Sequence, residues 1–363
     1  MNRVAKRFAF ALAWPVLAVL AMSIVSTLIV SSALAQGQSV PSAWIDISAT
    51  VTSLEQLGPN ARRAASADEF WVGYTFALRD GVHVGCDDWN GRQVSFGSND
   101  VHFYMEGDGD GSGNEMQGVR CDESFGLFLR FDGSTSEVAE ARTMALRRAS
   151  RRFDDPIVWA GEFPADASVA FLRSAVLGAG GGPSRALSTR SEEVRERLLG
   201  AVAMHRSAAA VEVVFAALDA AQPSELRELA VFWASQIGAD EGLQRLIAMA
   251  RGDDDKEVRQ QSIFWLAQVA GERATAHLAE IAEDDPDTEV RQAAVFALSQ
   301  SEDDAAVEAL MNIVRMHDNP EVVKSALFWL GQSGDPRAVE LIEELLFGRG
   351  SRSRSRDPLR YPG

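Results

Sequence analysis

Cysteine is nearly absent. Cys86 and Cys121 are the only two in 363 residues, which excludes a disulfide-dense scaffold and a four-cysteine zinc cluster. Histidine is equally sparse: His83, His102, His205, His277 and His317 share no ligand spacing, and no His-Glu-x-x-His run occurs, so the common helical zinc-hydrolase arrangement is missing. There is no Gly-x-Ser-x-Gly elbow and no phosphate-binding glycine loop, so the usual signatures of acyl and phosphoryl transfer are missing too. Positive charge is short: 35 Lys and Arg face 52 Asp and Glu, a formal net charge of −17. Phosphate-rich partners select for Lys and Arg, so this balance disfavours nucleic acid and charge-driven docking on anionic lipid. These absences point away from an enzyme, and no cofactor is expected.

The first 35 residues lack acidic charge altogether. Arg3, Lys6 and Arg7 form a basic start, residues 8–35 carry no charge, and Ala33-Leu34-Ala35 places small residues before Gln36. This reads as a secretory signal peptide over residues 1–35. The apolar stretch exceeds the usual core of about 7–15 residues, so an uncleaved anchor, which needs about 20 residues, is the alternative. The expected location is periplasmic or secreted, with membrane attachment only if the segment is retained. In that oxidising setting Cys86 and Cys121 read most simply as a disulfide, a closure that stabilises by about 3–4 kcal/mol in the chain-entropy model. The competing reading is a metal site from His83, Cys86, Asp87, Asp88 and Cys121, which lacks the Cys-x-x-Cys spacing such sites use.

What the chain has in abundance is repetition. Residues 226–236, 258–268, 290–300 and 322–332 read nearly alike, each 32 residues after the last, and a fixed period of this size marks a repeat array. Stepping 100° per residue from Val258 places Ser262, Trp265, Leu266 and Val269 on one side of a helix, an amphipathic face. Asp255, Asp287 and Asn319 share the column before it and suit N-capping, with Pro320 at the first helical position and Glu225, Glu257, Glu289 and Glu321 in the first turn. A second helix follows in each unit, near residues 243–250, 274–282, 305–314 and 337–346, and acidic turns such as Asp253-Asp254-Asp255 separate units. A worn unit begins at Val194-Arg195, with Gly200 and Ala201 where its successors carry Phe-Trp. That makes five units, none able to cover its own apolar face, so they must stack.

The period lies near those of tetratricopeptide and ankyrin repeats, but neither family's signature occurs. The Val-Arg opening, the run Ala326-Leu327-Phe328-Trp329-Leu330-Gly331-Gln332 and Gly334-Asp335-Pro336-Arg337-Ala338-Val339 resemble HEAT repeats instead. More narrowly, they resemble the short HEAT-like units first named in phycobilisome lyases. The resemblance covers about residues 191–347, and the whole chain is similar to exported bacterial HEAT-repeat proteins that join a variable N-terminal region to such repeats. It implies a partner-binding solenoid and no reaction, since function lives in sites rather than folds. A lyase-like activity is the lesser implication. The iron hydroxylases built on HEAT repeats need paired His-Glu motifs, which this chain lacks.

Two columns are candidate binding residues. Phe232, Phe264, Phe296 and Phe328 fall near 240° on the wheel, with Gln236, Gln268, Gln300 and Gln332 one turn later on the same flank. Stacked at about 8–10 Å, they form a Phe ladder beside a Gln ladder. Two readings stand: inter-repeat packing with amides bonded along the stack, or a partly exposed aromatic stripe for an extended peptide. Arg227, Arg259 and Arg291 make a third column, expected to pair with the acidic turns.

The N-terminal half reads as a small antiparallel β-rich domain over residues 67–177, behind a flexible lead at 36–66 and before a linker at 178–190. Residues 69–78 alternate like a strand, and Asp80-Gly81, Asn90-Gly91 and Asp132-Gly133 are hairpin signals. Further strands fit residues 101–105, 125–131, 138–146 and 157–159, and a helix fits 166–176. Gly107 to Glu115 looks like a calcium loop with ligands at Asp108, Asp110 and Ser112, but the twelfth position is Val119 rather than Glu. A flexible acidic loop is the plainer reading. The Arg-rich tail at 348–363 reads as disordered. The fold class expected is therefore α+β: a small β domain followed by a HEAT-like (armadillo-type) solenoid over residues 191–347. The function expected is an exported, non-enzymatic scaffold for a protein or peptide. The alternative is an envelope sensor or assembly factor with ligand binding in the β domain.

Overall fold

A computed structural model describes residues 41, 43–80, 82–84, 103–105, 125–134, 136–149, 153–178, 187–237, 240–301 and 303–347. The chain divides into two compact units, residues 1–44 and 45–363. The leading segment through residue 35, Cys86, Cys121, Asp87, Asp88, Asp108, Asp110, Ser112 and the tail lie outside the described residues, and with them the disulfide, metal and calcium readings.

The second unit opens with a five-stranded sheet of order β1-β7-β2-β5-β6. Its strands are β1 (Ile45–Asp46), β2 (Glu69–Thr75), β5 (Phe125–Asp132), β6 (Val138–Ala145) and β7 (Ile157–Glu162), while β3 (Val82–Val84) and β4 (Phe103–Met105) pair separately. The expected hairpin at Asp132-Gly133 joins β5 to β6, with Gly133 at φ +63°, a conformation glycine adopts without strain. The β2–β5–β6 ladder is antiparallel, but β7 runs parallel to both β1 and β2, so the sheet is mixed rather than wholly antiparallel. A tight turn dictates antiparallel pairing only between strands it joins, and β7 is far from β1 and β2 in sequence. Strand β2 is buried at six of its seven positions, as befits a strand covered on both faces.

Part of the expected flexible lead is helical. Leu54–Gln56 forms a 3-10 turn and α1 spans Leu57–Ala65. The reason is burial: Leu54, Leu57 and Ala61 sink into the core, with α1 packed on β2 and β7. A short α2 (Leu146–Ala149) extends β6, and α3 (Ala165–Leu177) follows the sheet.

Among the described residues five helix pairs follow: α4 (Glu192–Ala203) with α5 (Ala208–Ala216), α6 (Ser224–Ile237) with α7 (Asp240–Gly252), and α8 (Lys256–Ala270) with α9 (Glu272–Asp284). Then come α10 (Thr288–Ser299) with α11 (Asp304–Met316), and α12 (Pro320–Ser333) with α13 (Pro336–Phe347). The caps sit where the columns place them. Asp255 accepts from the amides of Glu257 and Val258, Asp287 from Glu289, and Asn319 from Glu321, with Pro320 leading its helix. Gly242 lets α7 approach α6 closely, since a Cβ there would lie 2.8 Å from the carbonyl oxygen of Ala234. Successive first helices α4, α6, α8, α10 and α12 pack side by side.

The buried face of these helices is rotated from the wheel reading. In α8 the buried residues are Val258, Arg259, Ser262, Ile263, Leu266 and Ala270, whereas Trp265 is half-buried and Val269 exposed. The pull toward Arg259 comes from its buried ion pair with the next inter-repeat turn.

Sheet and array share one hydrophobic core. Ala77 to Asp80 runs against the α4–α5 turn: the amide of Arg206 donates to the carbonyl of Ala77 at 2.9 Å, and that of Arg79 to Met204 at 2.8 Å. Within the expected linker, Ser188 pairs with the edge of β6 through Val138, whose amide donates to the Ser188 carbonyl at 2.8 Å.

A buried relay sits at this junction. Tyr74 Oη lies 2.9 Å from Ser168 Oγ, which lies 2.7 Å from His205 Nε2, while His205 Nδ1 lies 2.7 Å from the carbonyl of Ala201. Nδ1–H donates to that carbonyl, and because burial keeps the ring neutral near pH 7, Nε2 accepts from Ser168. Phe76 stacks on it at 3.4 Å. Burial lowers the His205 pKa from 6.5 to about 4. A depressed histidine pKa gives stability that is complete above pH 6.5 and is lost as pH falls toward 4. The expected loss is about 3 kcal/mol over that window. Thermal melts of the wild type and His205→Gln from pH 7 to 4 check this: the wild-type advantage at neutral pH should vanish at the acid end.

Candidate partner-binding surface

The Phe column lies along one flank of the first helices. Phe264, Phe296 and Phe328 are exposed to 45%, 40% and 56%, while Phe232 is half-buried. The tryptophan of the next unit touches this column without by itself setting the exposure, since Phe296 stays 40% exposed beside one. Phe232 meets Trp265 and Phe296 meets Trp329, both at 5.0 Å between centroids. Position 297, which faces Phe264, is Ala, and Phe328 belongs to the last unit. At the other end Trp233 lies over Gly200, 3.7 Å from where a Cβ would stand. So neighbouring units contact one another through this column and still leave much of each ring outward.

The Gln column does not form a ladder of amides bonded along the stack. Gln236 and Gln300 donate to their own preceding serines, Ser235 at 3.0 Å and Ser299 at 3.2 Å. Gln268, Gln300 and Gln332 are exposed.

A further column stands one turn before each Phe and carries Glu196, Glu228, Gln260, Gln292 and Lys324 in successive units. The helix period makes it legible in the sequence. Gln260-Phe264-Gln268 and Gln292-Phe296-Gln300 are thus aromatic rings bracketed by amides. Among the described residues Glu196 and Glu228 make no ion pair. Burial first, and then neighbouring carboxylates including Glu225, hold both above the ordinary glutamate pKa.

The Arg column behaves differently and points inward. Arg227 is bidentate to Asp253 at 2.8 and 3.0 Å, and Arg259 to Asp285 at 2.9 and 3.2 Å. Among the described residues Arg291 has no such partner, and His317 occupies the corresponding place. It reaches only Thr288 Oγ1 at 3.0 Å.

Other site types find little here. A cleft of about 60 Å³ lies between units two and three, bounded by Ser235, Asp240, Leu243, Val269 and Arg273, well below the roughly 300–1,000 Å³ of small-molecule sites. Among the described residues no group of His, Cys, Asp and Glu could hold a metal ion, and no helix is long and apolar enough to cross a membrane.

Stacked helix pairs with a continuous core define an α-solenoid. HEAT repeats are detected in it at residues 211–299 and again at 275–354. No curated protein matches the chain. HEAT arrays serve broadly as protein-interaction scaffolds with extended binding surfaces, and the repeats detected here suggest that role.

Proposed function

We propose that this is an exported, non-enzymatic scaffold that binds a protein or peptide along the Phe–Gln flank of its HEAT-like solenoid. The observation that carries the reading is the outward exposure of Phe264, Phe296 and Phe328 in register on successive helices. A row of aromatics facing solvent is poor economy for a monomer and favours an interface. Export is supported by the basic start, the uncharged run 8–35 and Ala33-Leu34-Ala35. Phe264→Ser with Phe296→Ser separates binding from packing. The double variant is expected to retain most stability, at about 1 kcal/mol per ring, since fully buried aromatics cost about 3–5 kcal/mol. In parallel pull-downs from envelope extract, partners held by the wild type should be lost from the variant. Equal capture by both, or a collapse of the melting temperature, defeats the proposal.

A further inference from the structure

The flank that carries the Phe column is not uniform along the array. One turn before the Phe positions it reads Glu, Glu, Gln, Gln, Lys from unit one to unit five. At the first end Glu192, Glu193 and Glu225 are exposed beside Glu196 and Glu228. Arg197 neutralises Glu193 at 2.7 Å, whereas Arg195 bonds Gln222 at 2.7 Å and Arg227 pairs with Asp253, so Glu192, Glu196, Glu225 and Glu228 keep the acidic excess. At the far end the Lys324 side chain is 79% exposed, its nearest carboxylate Glu321 at 3.9 Å. Between the ends, Gln260 and Gln268 make no side-chain hydrogen bond among the described residues, leaving amide donors and acceptors on either side of Phe264.

We infer that this surface takes an extended peptide of fixed polarity, with Lys or Arg over Glu196 and Glu228, apolar side chains on Phe264 and Phe296, and a carboxylate at Lys324. The inference rests on the reading of this flank as the binding surface. The pitch agrees with an extended ligand. Adjacent helices stack at about 8–10 Å, and three residues of polyproline-II chain rise about 9 Å. One apolar side chain every third residue therefore meets one Phe per unit, and the intervening backbone groups meet the glutamines. A helical ligand rises only about 5.4 Å per turn and would drift out of register within two units. Charge complementarity decides which end goes where.

Two labelled 15-residue peptides of identical composition test this against the full chain by fluorescence anisotropy. Both carry Leu at every third position. One has its lysines at one end and its aspartates at the other, and the second has the charges alternating. The segregated peptide should bind at least tenfold more tightly, lose at least tenfold in Glu196→Lys with Glu228→Lys, and weaken as salt rises. Equal binding of both peptides, abolished by Phe264→Ser with Phe296→Ser, overturns the polarity and leaves the surface standing. Binding of neither, or binding indifferent to the Phe substitutions, overturns the polarity and the surface together.

Discussion

Asp285→Ala is expected to destabilise the protein by about 3–5 kcal/mol, the usual result of removing one partner from a buried ion pair. Arg259 and Asp285 expose only 9% and 3% of their side chains. Removing the carboxylate strands both Nε and Nη2 of the guanidinium, along with the amide of Asp287, which donates to Asp285 at 2.9 Å. The third Arg of the column supplies the converse. Arg291 Nε is buried with no hydrogen-bond partner, and His317 stands where Asp253 and Asp285 stand in the preceding units. His317 performs half of their task, its Nδ1 accepting from the amide of Asn319 at 3.0 Å, as Asp253 accepts from Asp255 at 2.9 Å. An aspartate there could do both, so His317→Asp is expected to stabilise by about 1.5–3 kcal/mol, the scale of a hydrogen bond to a charged group. Urea unfolding of the two variants checks the pair. Opposite signs are the expected outcome, and a neutral Asp285→Ala would mean that the ion pair does not organise the inter-repeat turn.

Trp233→Ala should cost about as much, roughly 3–5 kcal/mol. Trp233 is 1% exposed, in edge contact with Phe232 at 5.0 Å and lying over Gly200. Unit one lacks large side chains at both relevant positions, Gly200 and Ala201, and this indole fills the space beside Gly200. Trp265 and Trp329 are only half-buried and should cost less when truncated. In a stacked array stability is the sum of unit and interface contributions, so the loss should fall at the first interface. Amide exchange checks this: accelerated exchange in α4 and α6, with α12 unchanged, is expected. Uniform acceleration would show that the array unfolds as one block.

The candidate surface was only partly legible before folding. The Phe and Gln columns follow from the 32-residue period, and so does the polar column from Glu196 to Lys324. Exposure could not be read from the period. Phe232 and Phe296 each meet a tryptophan of the next unit at 5.0 Å, yet Phe232 is half-buried and Phe296 is 40% exposed, close to the 45% of Phe264, which faces Ala297. The inward Arg column shows the same limit. Arg259 reads as polar on a helical wheel, yet its bond to Asp285, 26 residues on, draws it into the core and turns the buried face of α8 away from Val269.

What the sequence determined by itself is local and periodic: the helix pairs, their caps at Asp255, Asp287 and Asn319, the β5–β6 hairpin at Asp132-Gly133 and the stacking of incomplete apolar faces. Each depends on backbone preferences and side-chain spacing within a few residues. The tertiary structure alone decided the parallel placement of β7, the docking of α1 on the sheet, the Tyr74–Ser168–His205 relay and the exposure of each Phe. Those depend on which distant surfaces meet, and burial is set by the neighbour that arrives rather than by the residue that waits for it.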